Sequence, residues 1–474
     1  MLFSSIEFLF AFLPGALLLY FLTPARLKNS ALLLLSLLFY AWGGGGLLLL
    51  LLLSIASNYA LGLLVARARG RAGLRRLCVA GSVLVNLGIL GTFKYADFAF
   101  GQWTRLAGLV GAPPLEPLGL LLPIGISFYT FQSMSYVFDV ARGRSPAFAN
   151  PVDFALYVAM FPQLIAGPIV RFHEIAQQIR SRRSGLSDFS EGAMRFCWGL
   201  VKKIVVADSV AEIADAAFGA PAATLPLWAA WAGVLAYTLQ IYFDFSAYSD
   251  MAIGLGRMLG FRLPENFERP YSALSITDFW RRWHITLSAW FRDYLYIPLG
   301  GSRHGIARTG TNLVVVFLLV GLWHGAAWTF VAWGAYHGVL LIGERVSARR
   351  YVEAAPRPAL ARALTLLLVM LGWVLFRADD LRHAAHYYAA LAGLGSSAPQ
   401  PELLLAATTR NSAILLLASA VFVLPRSLRL GSAIESGRGV WLDASRAALM
   451  SAGLAYAGLL LVSGTYNPFL YFRF

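Results

Sequence analysis

The sequence predicts an all-α protein that crosses a membrane many times. Of its 474 residues, 58% are hydrophobic and 13% are charged, whereas soluble domains carry roughly a quarter charged residues. The apolar runs are long and do not alternate with polar residues, which favours helices over strands. Because lipid offers no hydrogen-bond partners, each spanning segment has to satisfy its own backbone, as a helix does.

Twelve apolar runs approach the length of about 20 residues that a membrane-spanning helix needs. Some are short enough to be tilted or to be half-helices, so we expect about 11 or 12 spans. The first run lacks a basic flank and a small-residue cleavage site, and we therefore predict a retained span and not a signal peptide. The runs are 1–23, 29–43, 47–66, 77–93, 117–138, 196–216, 226–246, 311–323, 327–344, 359–376, 411–424 and 443–463.

The formal net charge of +15 does not indicate a nucleic-acid partner, because the arginines lie in loops between the apolar runs. Arginine-rich loops of membrane proteins are typically cytoplasmic. With the loop 67–76 placed inside, the N-terminus falls outside, and the segments 171–183, 261–310, 345–358 and 425–442 fall inside as well. We therefore expect the lipid bilayer, and no nucleic acid, to be the partner of the basic residues.

The segment 151–171 interrupts the simple pattern of spans and loops. It contains Pro162, Gly167 and Pro168 within an apolar run, and arginines flank it on both sides. Flanks of the same sign predict a re-entrant element that lines a cavity. A kinked but complete span is the equal alternative.

A second irregular segment is 271–303, which reads YSALSITDFWRRWHITLSAWFRDYLYIPLGGSR. Ser275 followed by Asp278 is typical of a helix start, and the aromatic residues after it recur at helical spacing. We predict one basic amphipathic helix at the headgroup boundary. It serves either as an interfacial anchor or as the floor of an active-site tunnel whose arginines face an anionic substrate.

Among the seven histidines, His324 is the strongest candidate for chemistry. It follows the apolar run TNLVVVFLLVGLW, so we place it within or beside the hydrocarbon region, where an ionisable group is costly and by default functional. Imidazole also suits general-base catalysis near neutral pH. Gly321 and Gly325 beside it allow close packing or substrate approach.

Two further histidines are less clear from the pattern alone. His284 lies on the predicted amphipathic helix, where an interfacial and a functional role are equally compatible with its surroundings. His337 comes thirteen residues after His324 in the next apolar run, and we expect it several turns away in a structural or gating role.

The remaining polar residues of the apolar runs have ordinary explanations. Asp244 and Asp250 end one run, and we predict a structural role for both. Cys78 and Cys197 are interpreted as small buried residues, because they form neither a disulfide framework nor a metal-ligand spacing. We predict no metal site and no bound cofactor.

Several long motifs resemble those of the membrane-bound O-acyltransferase family. The resemblance covers the chain well from about residue 120 onward and the N-terminal helices loosely. Within the family, the chain looks most like the branch that acetylates alginate and less like the branch that transfers D-alanine to teichoic acid. The motifs are PIGISFYTFQSMSYVFDV, FPQLIAGPIVR, LQIYFDFSAYSDMAIGLGRMLG, DFWRRWHITLSAWFRDYLYIPLGGSR, VGLWHGAAWTFVAWGAYHG and the closing PFLYFRF.

The resemblance implies one membrane domain of tilted helices around a central tunnel. N-terminal helices are expected over 1–115, a catalytic core over 116–350 and C-terminal helices over 351–474. His324 corresponds to the catalytic histidine, and His284 to the second polar position of the same site. The donor implied is acetyl-coenzyme A, and the residues expected to bind or steer substrate are Arg281, Arg282, Arg292, Trp283, Trp323, Asp293 and Tyr294.

The resemblance also implies a place in the cell and a set of partners. The acetyl group is expected to cross a bacterial inner membrane and to reach extracytoplasmic acetyltransferase partner proteins that act on a polysaccharide. Transfer of D-alanyl or another acyl group to a cell-wall polymer is the alternative within the family. A transporter or flippase is the alternative outside it, and the absence of repeated halves in the sequence disfavours it.

Overall fold

The computed structural model describes residues 2–68, 70–347, 357–395, 399–424 and 440–464. Helices account for most of the described backbone, and no strand occurs within these ranges. The all-α fold is therefore confirmed. The closing motif at 468–474 and most of the basic loop expected at 425–442 lie outside the described residues.

The chain divides into two compact units. The N-terminal unit comprises Met1–Ala193 and Ala252–Pro264, and the C-terminal unit comprises Met194–Met251 and Glu265–Phe474. The helices of the N-terminal unit are α1 (Leu13–Leu22), α2 (Lys28–Gly44), α3 (Leu48–Arg67), α4 (Ala72–Leu90), α5 (Ala96–Val110), α6 (Ile126–Ala141), α7 (Pro151–Ala159), α8 (Phe161–Leu164) and α9 (Phe172–Arg180).

Two helices, α10 (Leu186–Val201) and α12 (Leu227–Met258), contribute residues to both units. The prediction of a single domain with three parts stays a prediction. The other helices of the C-terminal unit are α11 (Asp208–Gly219), α13 (Ile276–Arg282), α14 (Ile285–Phe291), α15 (Gly305–His324), α16 (Trp328–Val346), α17 (Pro358–Arg377), α18 (Leu381–Leu391), α19 (Pro401–Ala406), α20 (Thr409–Ala418) and α21 (Val440–Ser463).

Four helical segments among the described residues are long and apolar enough to cross a membrane. They are Ala25–Arg67, Ala72–Val110, Gly305–His324 and Pro358–Arg377. Leucines on their outer faces are exposed, as lipid-facing side chains are. The chain is thus a polytopic membrane protein, and the total of about 11 or 12 spans stays a prediction.

The span predicted at 117–138 starts later than the hydropathy indicates, because α6 begins only at Ile126. Gly119 and Gly125 have φ of 62° and 72°, in the left-handed region where an α-helix does not continue. The backbone N–H groups of Leu118 and Gly119 donate instead to the carboxylate of Asp97 on α5. Residues 117–125 are therefore irregular, and Leu118 and Gly119 tie them to α5.

The segment predicted to be re-entrant is a broken helix. α7 ends at Ala159, Met160 adopts ψ 114°, and only four residues of α8 follow. A nine-residue helix rises about 14 Å, which is less than half of a hydrocarbon core of about 30 Å. Neither α7 nor α8 alone is long enough to cross such a core, and both the re-entrant path and the alternative of a kinked, complete span stay predictions.

A polar network joins α3 and α4 inside the N-terminal unit. The side-chain oxygen of Asn58 accepts hydrogen bonds from the hydroxyl of Ser82 at 2.8 Å and from the amide of Asn86 at 2.7 Å. The Asn58 amide donates to the side-chain oxygen of Asn86 at 3.2 Å and to the carbonyl of Ser54 at 2.9 Å. Between two apolar helices, such reciprocal bonds act as an interhelical tie.

In the C-terminal unit, α15 and α16 pack with almost no space between their backbones. A Cβ atom added at Gly321 would lie 2.2 Å from the carbonyl oxygen of Phe330, and one at Gly334 would lie 2.3 Å from that of Phe317. A Cβ at Gly325 would meet the Phe330 ring at 2.1 Å. The close packing expected at Gly321 and Gly325 is confirmed, and it fixes the end of α15.

The two carboxylates at 244 and 250 pair with cations, of which Lys203 is buried and Arg195 is partly buried. Asp244 accepts from the ammonium of Lys203 at 2.8 Å, and Asp208 binds the same ammonium at 2.6 Å. Asp250 contacts the guanidinium of Arg195 at 2.9 Å. These ion pairs tie α12 to the neighbouring helices, which supports the predicted structural role of Asp244 and Asp250.

Candidate active site

α13 begins where the sequence predicts a helix start. The Ser275 hydroxyl accepts a hydrogen bond from the backbone N–H of Asp278 at 3.0 Å, so the predicted cap is confirmed. The carboxylate of Glu344 on α16 accepts from the backbone N–H groups of Ile276 and Thr277. Because a negative charge stabilises a helix N-terminus, Glu344 fixes α13 against α16.

The single amphipathic helix predicted over 271–303 is wrong, because the chain breaks between α13 and α14. His284 stands at the break with φ 44° and ψ 55°. This left-handed conformation costs roughly 1–2 kcal/mol for a residue with a Cβ atom. Such strain is typical of functional positions that the surrounding structure holds firmly.

Hydrogen bonds from outside the two helices hold the break in place. The backbone N–H of Glu268 donates to the carbonyl of Arg282 at 2.9 Å, and the carbonyl of Asn266 accepts from the N–H of Ile285 at 2.9 Å. These groups would otherwise bond within a continuous helix. The break therefore depends on the segment that precedes α13, which hydrophobic periodicity does not reveal.

The His284 side chain is completely buried at this break. Its Nδ1 atom lies 3.0 Å from the side-chain oxygen of Asn266, and its ring meets the ring of Phe245 edge-on at 4.7 Å between centroids. Burial lowers the pKa of His284 to about 3, so the imidazole is neutral at physiological pH. The Nε2 atom has no hydrogen-bond partner within the described ranges.

His324 is the last residue of α15, and aromatic rings from three helices surround it. Its ring centroid lies 4.9 Å from that of Trp323, 5.2 Å from that of Trp333 on α16 and 5.0 Å from that of Phe376 on α17. The ring of Trp323 also contacts His284 at 5.9 Å. The structure thus brings both predicted histidines together, with Trp323 touching each of them.

His337 is nearer to this site than its separation along the chain suggests. Trp333 contacts the rings of both His324 and His337, the latter at 5.0 Å between centroids. The indole N–H of Trp280 donates to Nδ1 of His337 at 3.4 Å. A single tryptophan ring therefore connects the two histidines of α15 and α16, and His337 helps to hold the aromatic wall around His324.

The predicted substrate-binding residues divide into two groups. Trp283, Trp323 and Tyr294 are buried, and Trp283 packs on Trp373 at 4.9 Å. The polar residues lie nearer the surface: Arg281 is exposed, Arg282 binds Asp278 at 2.8 Å, and Arg292 binds Asp293 at 2.8 Å. Among the described contacts, none joins Arg281, Arg282 or Arg292 to either histidine, so their role in substrate binding stays a prediction.

Sequence reasoning missed three residues that build this site. Asn266 and Glu344 act through hydrogen bonds to distant segments, and Trp333 acts by ring contacts across two helices. No local pattern identifies such partners, although the sequence PENF between α12 and α13 interrupts the helical periodicity. Within the described ranges, no group of three or more His, Cys, Asp or Glu residues is arranged to hold a metal ion.

This arrangement suits acid–base chemistry away from water. A neutral imidazole with an available nitrogen can accept a proton, and the indole and phenyl rings around it exclude solvent. Residues 129–376, which hold every element of the site, match the membrane-bound O-acyltransferase family. Since this match covers more than half of the chain, the protein belongs to that family and is an O-acyltransferase.

Its relatives include proteins that are named as O-acetylases of alginate or peptidoglycan. The chain is 43% identical to a probable alginate O-acetylase of Pseudomonas putida over 100% of both chains. It is 48% identical to a probable alginate O-acetylase of Azotobacter vinelandii over 83% of this chain and 79% of that protein. It is 37% identical to a peptidoglycan O-acetyltransferase of Helicobacter pylori over 83% of this chain and 80% of that one. The predicted family and enzyme class are confirmed.

Proposed function

We propose that the protein takes acetyl groups from acetyl-coenzyme A and passes them across the membrane for O-acetylation of an exported polysaccharide. The observation that carries this proposal is the similarity to a probable alginate O-acetylase over the full length of both chains. The peptidoglycan O-acetyltransferase among the relatives supports the same class of acceptor, a glycan beyond the membrane. We propose that the protein resides in the bacterial inner membrane.

In this proposal His324 is the catalytic base. It accepts the proton of an acceptor hydroxyl, the hydroxyl oxygen attacks the thioester carbonyl, and the carbon–sulfur bond breaks to release coenzyme A. The proton then passes from His324 to the departing thiolate, so the histidine is regenerated. Trp323, Trp333 and Phe376 support this role because they pack around the imidazole and exclude water, which would protect a thioester bound beside it from hydrolysis.

On the cytoplasmic side, exposed arginines attract the acyl donor in this proposal. Coenzyme A carries phosphates, and Arg281 and Arg292 are accessible cations close in sequence to His284. They would steer the donor electrostatically without contacting the reacting atoms. Extracytoplasmic acetyltransferase partner proteins would receive the acetyl group or present the polymer.

The test is acyl-donor turnover by the full-length protein in nanodiscs, read out as released coenzyme A in the presence of an acceptor polysaccharide. His324→Ala and the more conservative His324→Gln should both lose about 100-fold or more in kcat, since general-base catalysis contributes roughly that much. His386→Ala is the matched control, because His386 is an exposed histidine of the same unit and should turn over normally.

Turnover that survives in the two His324 variants would overturn the assignment of His324. A wild-type protein that hydrolyses or transfers no acetyl-coenzyme A, yet turns over a D-alanyl donor, would replace acetyl with D-alanyl transfer. That second outcome corresponds to the relative named teichoic acid D-alanyltransferase in Bacillus subtilis, which is 27% identical over 48% of this chain.

A further inference from the structure

Asn266 lies at the centre of the hydrogen bonds that hold His284. It belongs to the segment between α12 and α13, and only 1% of its surface is exposed. Its amide nitrogen donates to the hydroxyl of Ser249 at 3.0 Å. Its side-chain oxygen faces Nδ1 of His284 at 3.0 Å and accepts from the hydroxyl of Thr286 at 2.9 Å and from the backbone N–H of Thr286 at 3.4 Å.

These contacts determine which way the Asn266 amide points. A backbone N–H can only donate, so the amide atom that faces the N–H of Thr286 has to be the oxygen. The nitrogen then faces the hydroxyl of Ser249, which accepts. The amide orientation thus follows from a donor whose identity is certain and not from the choice of a tautomer.

The same oxygen then determines the tautomer of His284. Because the Asn266 oxygen accepts, Nδ1 of His284 carries the proton and donates. In a neutral imidazole the other nitrogen, Nε2, then carries a lone pair. The rings packed around His284 are Phe245 of α12, Phe267 and Trp323 of α15, none of which carries a charge that would favour the imidazolium.

We infer that Asn266 is a positioning residue that fixes His284 as the Nδ1–H tautomer, so that its buried Nε2 accepts a hydrogen bond from a substrate O–H or N–H. This assignment excludes His284 as a hydrogen-bond donor to the oxyanion of the tetrahedral intermediate. The imidazole ring is oriented by the left-handed backbone at His284 and by the hydrogen bond from the N–H of Ile285 to the carbonyl of Asn266. The side-chain amide of Asn266 determines which ring nitrogen carries the proton. The substrate part of this inference rests on the proposed acyl transfer.

The tautomer is tested without turnover. In protein labelled with ¹⁵N-histidine and reconstituted in lipid, solid-state NMR distinguishes protonated from unprotonated ring nitrogens, and His284→Gln identifies the signals of His284 by their loss. Wild type should show a protonated Nδ1 and an unprotonated Nε2 at pH 7. An Nε2–H tautomer or an imidazolium would overturn the inference, whether or not the proposed reaction is correct.

The consequence for the reaction is tested with two substitutions of Asn266. Asn266→Ala should lower kcat by about 10- to 100-fold, with KM for the acyl donor within about 2-fold, as loss of a residue that orients a catalytic group does. Asn266→Asp keeps an acceptor for Nδ1–H but adds a negative charge that raises the pKa of His284. Its activity should therefore approach wild type at alkaline pH, with the acid limb of the pH–rate profile moved to higher pH.

Asn411→Ala is the matched control. Asn411 is a fully buried amide of the same unit, and its nitrogen donates to the carboxylate of Glu212 and to the carbonyl of Ala406. Its loss should lower stability while leaving kcat and the pH profile unchanged. Equal losses of kcat in Asn266→Ala and Asn411→Ala, or an unshifted acid limb in Asn266→Asp, would reduce Asn266 to a purely structural residue.

Discussion

The asparagine network of the N-terminal unit and the histidine site of the C-terminal unit are both buried polar clusters, but they differ in hydrogen bonding. Between α3 and α4, Asn58 and Asn86 bond to each other in both directions. In the histidine site, Nε2 of His284, Nε2 of His337 and the indole N–H of Trp333 have no hydrogen-bond partner within the described ranges.

We expect this difference between the two clusters to reflect different roles. A buried polar atom without a partner costs about 1–3 kcal/mol, and lipid supplies no water to relieve it. In a cluster that only joins helices, polar side chains are most stable when they are hydrogen-bonded, as the amides of Asn58 and Asn86 are. A cluster that binds substrate keeps atoms available and compensates for the cost elsewhere in the fold.

The largest effect is expected at His284 itself. His284→Asn keeps a residue type that tolerates the left-handed backbone but removes the imidazole. Turnover should fall about 100-fold or more, while the melting temperature stays the same or rises, because an unpartnered buried nitrogen is lost. Both quantities are measured on the same preparation, turnover by release of coenzyme A and stability by thermal unfolding. A strong fall in turnover together with a strong fall in melting temperature would show that His284 has a structural role.

The packing that positions His324 should have the next largest effect. Gly321→Ala places a Cβ atom 2.2 Å from the carbonyl oxygen of Phe330, so α15 and α16 have to separate. We expect a loss of about 1–3 kcal/mol in stability and a fall in turnover of about 10-fold.

Gly310→Ala, on the same helix, is the control for the substitution of Gly321. A Cβ atom at Gly310 meets only the side chain of Ile342 at 3.6 Å, which is ordinary contact. Alanine also favours helix over glycine by about 1 kcal/mol, so this variant should be as stable as wild type or more so. Equal effects at the two glycines would show that close helix packing does not position His324.

A smaller effect is expected in the pH dependence of the unfolding free energy, and the direction of this effect is known. Burial lowers the pKa of His284 from 6.5 to about 3, so the unfolded chain takes up a proton that the folded protein does not. The contribution of the neutral, buried imidazole to stability is therefore present above pH 6.5 and is lost progressively as the pH falls toward 3.

On lowering the pH from 7.5 to 5.5, the wild type should lose about 1.4 kcal/mol more unfolding free energy than His284→Asn. Denaturant titrations of both proteins in the same mixed micelles measure this difference. Parallel loss of stability in the two proteins would mean that His284 is exposed to solvent or already paired in the folded state.

The sequence predicts the helices and the position of the candidate histidine, His324, better than it predicts the surroundings of that histidine. Apolar runs such as 47–66 and 359–376 are local properties, and the structure reproduces them as Leu48–Arg67 and Pro358–Arg377. His324 is recognisable because a histidine that ends an apolar run is costly.

The irregular features depend instead on tertiary contacts. At the break, the carbonyl of Asn266 accepts from Ile285 and the N–H of Glu268 donates to Arg282. Before the late start of α6, the carboxylate of Asp97 accepts from the backbone. The aromatic pattern of 271–303 continues through the break without interruption, so periodicity alone extends the helix across it. Such features depend on contacts between segments that are distant in the sequence. Local patterns in a single sequence do not reveal those contacts.

The smallest effect is expected in the asparagine network, where it tests whether a cluster of bonded polar groups has a structural role alone. Asn58→Leu leaves the amide of Asn86 and the hydroxyl of Ser82 without their shared acceptor, at a cost of about 1 kcal/mol, as for other interhelical bonds in membranes. Asn58→Leu combined with Asn86→Leu removes both amides together, and it should cost less than the sum of the two single variants. Turnover per folded molecule should remain at the wild-type level in all three proteins, because the amides of Asn58 and Asn86 are bonded to each other and to their neighbours on α3 and α4. A loss of turnover beyond the loss of folded protein would mean that satisfied hydrogen bonds do not distinguish structural clusters from functional ones in this fold.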